Sequence, residues 1–531
     1  MVTEEFSGRL KTPPVVIPAN AGIQRLTLSC ALKTLGPGVR RGDDGDSSNM
    51  IVLRGISIAP IATHHDKASM QNSSTPQPTR DNAFHRSIGV FSGTAINMTQ
   101  MCGIGPFITI PIMVAAMGGP QAVIGWIAGA ILAMADGLVW AELGAAMPGS
   151  GGTYVYLREA FQYRTGKLMP FLFIWTMLLA IPLLMSTGII GMVEYLGFFF
   201  PNLGWWPVHI IGVVSTAIVT WLLYRRIESV RAITIGLWII MLVSVIGVTV
   251  AGFSHFNASF AFAYPADAFG SHFFVGLGLG LIIGIYDYLG YNTTAYIGDE
   301  LRNPGRTMPR SIIISVIAMM FVYLLLNISV LGVAPWQEIA QSKSVASLVV
   351  ERSWGHLAAA IMTILIIVTA FASVFTGLLG GSRVPFEAAR DKVFLSVFGR
   401  LHAKHSFPHI ALLTMGVVTA ISTFFDLTEV INMLLAATII VQSLAQIAAL
   451  IVLRKRQPNL ERPYKQWLYP VPCVIALLGW VYVYVSASTL SLILSSIWIV
   501  AGLVVFAIWA RLNQSWPFAP VEVRETYLGK P

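Results

Sequence analysis

Charge is what this chain has least of. Only 11% of its 531 residues are charged, while 55% are hydrophobic and the mean hydropathy is +0.70. Soluble domains carry roughly 25% charged residues, so most of this chain does not face water. Cysteine is almost absent. Cys30, Cys102 and Cys473 lie far apart with no CxxC pair, which argues against a disulfide framework or a zinc site. There is no GxSxG, HExxH or Walker A element, and no nucleotide fold fits between the apolar runs. The chain therefore does not read as an enzyme or as an ATP-driven machine, and no cofactor is expected. Residues after Met1 lack the compact apolar core of a cleavable signal peptide. The net charge of +9 does not point to nucleic acid, because the charges fall in short clusters between apolar stretches.

What is there is a series of apolar runs of about 20 residues, the length that crosses a bilayer core. Twelve such runs are expected, at 88–116, 121–147, 168–196, 207–224, 230–253, 272–298, 311–334, 354–380, 408–425, 428–453, 467–488 and 490–511. Residues 1–85 differ: they are rich in Pro, Gly, Ser, Asn, Asp and Arg and read as a disordered cytoplasmic tail. Within them, Val15–Gln24 resembles peptides translated from dispersed bacterial repeats, which makes Met70 an alternative start. Residues 86–512 form the membrane domain, and 513–531 a short cytoplasmic tail. Alternate loops carry nineteen basic residues, among them Arg158, Arg225, Arg306, Arg390 and Arg454, whereas the opposite loops carry only Lys343 and Arg352. The bias places the basic loops and both termini in the cytoplasm.

Two spans are interrupted. In the first, Gly103, Gly105 and Pro106 fall within a few residues of one another at mid-membrane. Glycine costs about 1 kcal/mol and proline about 3 kcal/mol relative to alanine inside a helix, but proline is favoured in the first turn of a new one. A half-helix beginning near Gly105 would aim free N–H groups and a positive dipole end into the bundle, which suits a carboxylate. Close glycine-mediated helix packing is the competing reading. In the sixth span, Asp287, Gly290 and Asn292 interrupt an apolar run. Loose backbone in a membrane must line a cavity or be buried in protein. Breaks in corresponding positions of two halves are the sign of an inverted-repeat transporter with its substrate between them.

At these residues the chain resembles the amino acid–polyamine–organocation (APC) superfamily. The resemblance rests on Gly103–Phe107, on Glu142–Tyr154, on Asp299–Arg310 and on Ser382–Asp391, in order along residues 88–511. It implies an all-α integral membrane fold: a five-plus-five inverted repeat (LeuT-like) followed by two further helices, with helices 1 and 6 broken. It also implies a secondary transporter of amino acids across a bacterial inner membrane by alternating access. The substrate carboxylate would lie on the backbone near Gly103, Ile104 and Gly105. The amine would meet carbonyls of Tyr286, Asp287 and Leu289 beside Gly290, with Tyr286 as an aromatic gate and Asn292 near the substrate. Many members carry a lysine in helix five; here Ile240 stands near that position.

Of the acids in or near the spans, Asp287 and Asp136 are the candidates for coupling transport to protons, since intramembrane charge is expensive and marks a site, a relay or a pair. A carboxylate that merely caps loose N–H groups is the competing account of Asp287. Glu142 reads as the partner of a loop arginine and Glu194 as solvated. His402, His405 and His409 lack neighbouring cysteines and do not suggest a metal site. A polyamine or organic-cation transporter is the alternative function, and a non-transporting amino-acid sensor a weaker one.

Overall fold

The computed structural model describes residues 86–149, 151–224, 230–271, 273–402 and 407–518. The N-terminal tail, Arg225, Arg226, Lys404, His405 and residues 519–531 lie outside the described residues. Among those described there is no strand, only one isolated bridge, between Ile88 and Leu301. The α-helices of eight residues or more, with one single turn among them, are α1 (Val90–Met101), α2 (Gly105–Met117), α3 (Ala122–Ala146), α4 (Thr153–Thr165), α5 (Leu168–Leu196), α6 (Trp205–Tyr224), α7 (Val230–Ser254), α8 (Phe273–Tyr288), the single turn α9 (Thr293–Tyr296), α10 (Pro304–Leu331), α11 (Val345–Trp354), α12 (His356–Gly381), α13 (Arg383–Arg390), α14 (His409–Ser422), α15 (Leu427–Thr438), α16 (Ala445–Arg456), α17 (Val471–Ser486) and α18 (Thr489–Leu512). A π-helical segment, Ile439–Leu444, joins α15 to α16.

Seven helical stretches are long and apolar enough to cross a membrane, and α1 with α2, bent by 55° at their junction, make an eighth. Four shorter apolar helices accompany them, including α8, α14 and α17. The chain is thus a multi-pass integral membrane protein. α3, α5, α8 and α10 pack against α1 or α2. α6 and α18 lie outermost and present Ile210, Trp221, Ile497 and Val504 outward. An apolar exterior is no anomaly here, because lipid tails solvate such side chains as well as a core does.

Close crossings are made with glycine. Gly125 and Gly129 on α3 face Gly280 and Gly284 on α8. A Cβ on Gly129 would sit 3.1 Å from the Gly284 carbonyl carbon, and one on Gly284 would sit 3.0 Å from the Gly125 oxygen. Glycines spaced four apart on both partners let the two backbones touch, and this contact sets the position of α8, the helix that carries Tyr286 and Asp287.

Candidate functional site

The interruption of the first span falls at Cys102–Ile104, and α2 restarts at Gly105 with Pro106 in its first turn. The sixth span breaks after Tyr288, where Gly290 adopts φ +115° before α9 begins. The two breaks meet. A Cβ on Gly290 would come within 2.7 Å of Gln100 Cβ and 2.9 Å of the Gln100 carbonyl carbon. Gly290 is therefore required twice, for its left-handed backbone and for this contact. Asn97, fully buried on α1, accepts a hydrogen bond from the Thr294 N–H at 3.0 Å and so holds α9 against α1. Tyr323 of α10 reaches the junction from the side. Its buried hydroxyl lies 2.8 Å from both the Met101 and Asp287 carbonyls, which belong to the last turns of the two interrupted helices.

A cavity of about 140 Å³ opens at this junction. Gly103, Ile104 and Gly105 line it from the first break, and Tyr286, Asp287 and Leu289 from the sixth span. Leu184, Met185 and Thr187 of α5, Met241 of α7, and Ser373 and Thr376 of α12 complete much of the wall. No hydrogen bond among the described residues engages the N–H groups of Gly103, Ile104 or Gly105. Three free donors at the positive end of a 13-residue helix favour an anion. Tyr286 shares a 2.7 Å hydrogen bond with Thr187 across the cavity wall. Met241 lies next to Ile240, and no lysine lines the cavity among the described residues.

Asp287 is 2% exposed. Its Oδ2 lies 2.5 Å from Thr109 Oγ1, which is also 3.0 Å from the Gly105 carbonyl oxygen. Its Oδ1 is buried with no hydrogen-bond partner and fills the space a side chain on Gly105 would need. Two of the residues named from sequence do not line the cavity. Gly290 forms the crossing of the breaks, and Asn292 precedes α9 as its N-cap residue. Thr109, Thr187 and Tyr323 were not singled out from sequence. A tyrosine in the middle of an apolar span was the available signal for Tyr323.

The other acids have different surroundings. Asp136 lies off the cavity and is 2% exposed. It accepts hydrogen bonds from Trp140 Nε1 at 3.0 Å, Trp480 Nε1 at 3.1 Å and the Tyr291 hydroxyl. These tie α3 to α17 and to the sixth-span break. Glu142 is fully buried and accepts from Arg454 Nε at 2.8 Å, from Arg454 Nη2 and from the Gln466 N–H at 2.9 Å. Glu194 is half-buried near the end of α5, not fully solvated as expected.

The amino acid permease family model matches residues 88–510, from just before α1 into the last turn of α18. Branched-chain amino acid permease BcaP of Bacillus subtilis (strain 168) is 25% identical over 461 residues, covering 82% of this chain and 96% of that protein. Asc-type amino acid transporter 1 of Mus musculus is 29% identical over 419 residues, 76% of each chain. Large neutral amino acids transporter small subunit 2 of Oryctolagus cuniculus is 27% identical over 430 residues, 75% of each. With a family match across about four fifths of its length, and with the two broken spans that carried the sequence resemblance meeting at one cavity, the chain belongs to the amino acid permease family of the APC superfamily.

Proposed function

We propose that this chain is a secondary transporter that moves amino acids across the cytoplasmic membrane by alternating access. One observation carries the reading: three N–H groups without a hydrogen bond among the described residues belong to Gly103, Ile104 and Gly105, which line a cavity at the meeting point of two broken helices. Donors fixed on rigid backbone suit the carboxylate common to all amino acids, and the carbonyls of Tyr286, Asp287 and Leu289 would meet its ammonium, those of Tyr286 and Asp287 through the lone pair not engaged by the Leu289 N–H and the Tyr323 hydroxyl. The wall around them is mostly apolar, with Ile104, Leu184, Met185, Met241, Leu289 and Val374. This favours neutral substrates with apolar side chains, in keeping with relatives named for branched-chain and large neutral amino acids. Tyr286 would act as the gate over the bound substrate.

The eight long apolar crossings and the four shorter apolar helices support twelve spans, arranged as two inverted five-helix repeats followed by two more. Both termini would then be cytoplasmic, with residues 1–85 and 513–531 as tails around the 86–512 domain and lipid around the bundle. A polyamine or other organic cation is the second reading, favoured only by the acidic Asp287 at the cavity. Uptake of labelled amino acids and polyamines by the purified protein in liposomes tests both. Saturable uptake of neutral amino acids is the expected result. Transport of polyamines alone sinks the first reading, and binding without uptake favours a sensor.

A further inference from the structure

Asp136 lies off the cavity, yet it is fastened to the segment that follows the sixth-span break. It is buried on α3, and no ion pair among the described residues involves it. Its hydrogen-bond donors come from three places: Trp140, one turn along α3, Trp480 on α17, and Tyr291, the residue after Gly290. An indole can only donate, and a carboxylate offers two oxygens with about four acceptor positions. Asparagine in its place would turn one of the two ends into a donor. The segment from Leu289 to Tyr296 is one turn of helix and the turn before it. Its own backbone bonds, such as the Thr293 N–H to the Gly290 carbonyl at 3.0 Å, fix its shape but not its place in the bundle. Asp136 and its neighbour hold it at both ends. Tyr291 bonds to the carboxylate at the near end, and at the far end Tyr296 packs on the Trp140 ring, with centroids 5.6 Å apart. α17 is seated as tightly on the other side. A Cβ on Gly479, next to Trp480, would lie 2.6 Å from Leu132 Cδ1 of α3, and one on Gly278 of α8 would strike Ser486 Oγ of α17.

We propose that Asp136 is a positioning residue for the substrate site: it fixes the sixth-span turn through Tyr291, and through Trp480 it makes α17 a determinant of substrate affinity. None of Asp136, Tyr291 and Trp480 lines the cavity, and neither does any other residue of α17, so the effect cannot come from contact with substrate. It comes through Gly290. That glycine holds φ +115° and packs against Gln100, with Leu289 on the cavity wall just before it. Releasing Tyr291 lets Gly290 lift from Gln100. Leu289 and the Asp287 carbonyl then shift on one side of the cavity relative to Gly103–Gly105 on the other. A substrate that bridges the two breaks needs a fixed distance between them, and a site that must be ordered on binding loses affinity.

The effect on affinity rests on the amino-acid reading above, whereas the fastening of the break does not, and two measurements separate them. Binding of labelled leucine and alanine to the purified protein in detergent, scaled to the folded fraction, should weaken about tenfold in Asp136→Asn and about threefold in Trp480→Phe. Asp136→Asn combined with Tyr291→Phe should bind no more weakly than Asp136→Asn alone, since both changes release the same tie. A purely structural role lowers the thermal midpoint and leaves affinity per folded molecule unchanged, and that result in both Asp136→Asn and Trp480→Phe overturns the positioning role. Additive losses in the double variant overturn the route through Tyr291. If Asp136→Asn does not fold, the affinities of Trp480→Phe and Tyr291→Phe decide. The second measurement needs no substrate. In a background with Cys30 and Cys473 replaced, Cys102 remains at the first break, on the cavity wall. Its reaction with a small methanethiosulfonate, well below the thermal midpoint, should speed several-fold in Asp136→Asn and in Trp480→Phe. An unchanged rate in both overturns the fastening of the break. If no amino acid binds the wild-type protein while the Cys102 rate still responds, the functional reading falls and the role of Asp136 at the break stands.

Discussion

Single atoms decide the chemistry at the junction. Gly105 has no side chain, and the space this leaves holds Asp287 Oδ1. Gly105→Val would push the carboxyl aside and cover the neighbouring amides with a branched group. The protein should still insert, while substrate binding weakens by well over tenfold, as read by isotope binding to the detergent-solubilised variant. Normal binding would remove the first-span amides from the site. Tyr323 offers a second residue-level test. Its one hydroxyl hydrogen serves two carbonyls, Met101 and Asp287, that the breaks have deprived of helical partners. Tyr323→Phe keeps the ring and orphans both. Leaving a buried polar group unsatisfied costs about 1–3 kcal/mol, so the thermal midpoint in detergent should fall and uptake with it. A variant as stable and as active as the wild type would leave Tyr323 as core filling. Sequence could name Gly103, Ile104, Gly105, Tyr286, Asp287 and Leu289, because glycine, proline and acid stand out in an apolar span. It could not name Thr109, which is unremarkable in a helix until folding brings Asp287 against it. It placed Asn292 near the substrate by likeness, whereas the turn after Gly290 carries Asn292 to the start of α9, off the cavity lining.

Between elements, glycine sets how closely helices approach. The α3–α8 crossing at Gly129 and Gly284 is backbone on backbone, so neither partner can yield by changing a rotamer. Gly129→Val should separate the helices, costing about 1–3 kcal/mol by overpacking. It should also displace Tyr286 and Asp287, one helical turn from Gly284, so uptake should fall more than stability does. Retained stability together with retained uptake would show that the crossing has slack. The long apolar runs were legible as helices because nothing else satisfies backbone groups in lipid. The fine structure of the sixth span was not. A break at Asp287–Asn292 within 272–298 was expected, and α8 stops at Tyr288; that only one turn, α9, resumes at Thr293 was not legible. That division depends on the Gln100–Met101 backbone lying against Gly290 and on Asn97 capping Thr294. Both contacts come from residues almost two hundred positions earlier.

For the molecule as a whole, the open matter is which end of the bundle faces the cytoplasm, and the charges give the prediction. Glu142, at the end of α3, is buried against Arg454 and the Gln466 backbone, with Arg462 Nε at 3.6 Å. The main chain of Ile88, just before α1, bonds to Glu300 and Arg302 after α9. The start of the first span and the end of the sixth are therefore joined at the end of the bundle that carries the arginine-rich loops. Positive loops stay on the cytoplasmic side during insertion, so this joined end should be the inner one. Lys343, in the segment between α10 and α11, should be outside. In a background with Cys30, Cys102 and Cys473 replaced, Lys343→Cys and Arg306→Cys place single thiols at exposed positions on the two expected sides. A membrane-impermeant maleimide added to intact cells should label Lys343→Cys and leave Arg306→Cys unlabelled until the membrane is permeabilised. The reverse pattern would invert the protein and put the joined ends of spans one and six outside. Labelling of both from one side would mean an odd number of crossings between these positions is wrong, and the inverted repeat built on an even total of spans would fall with it.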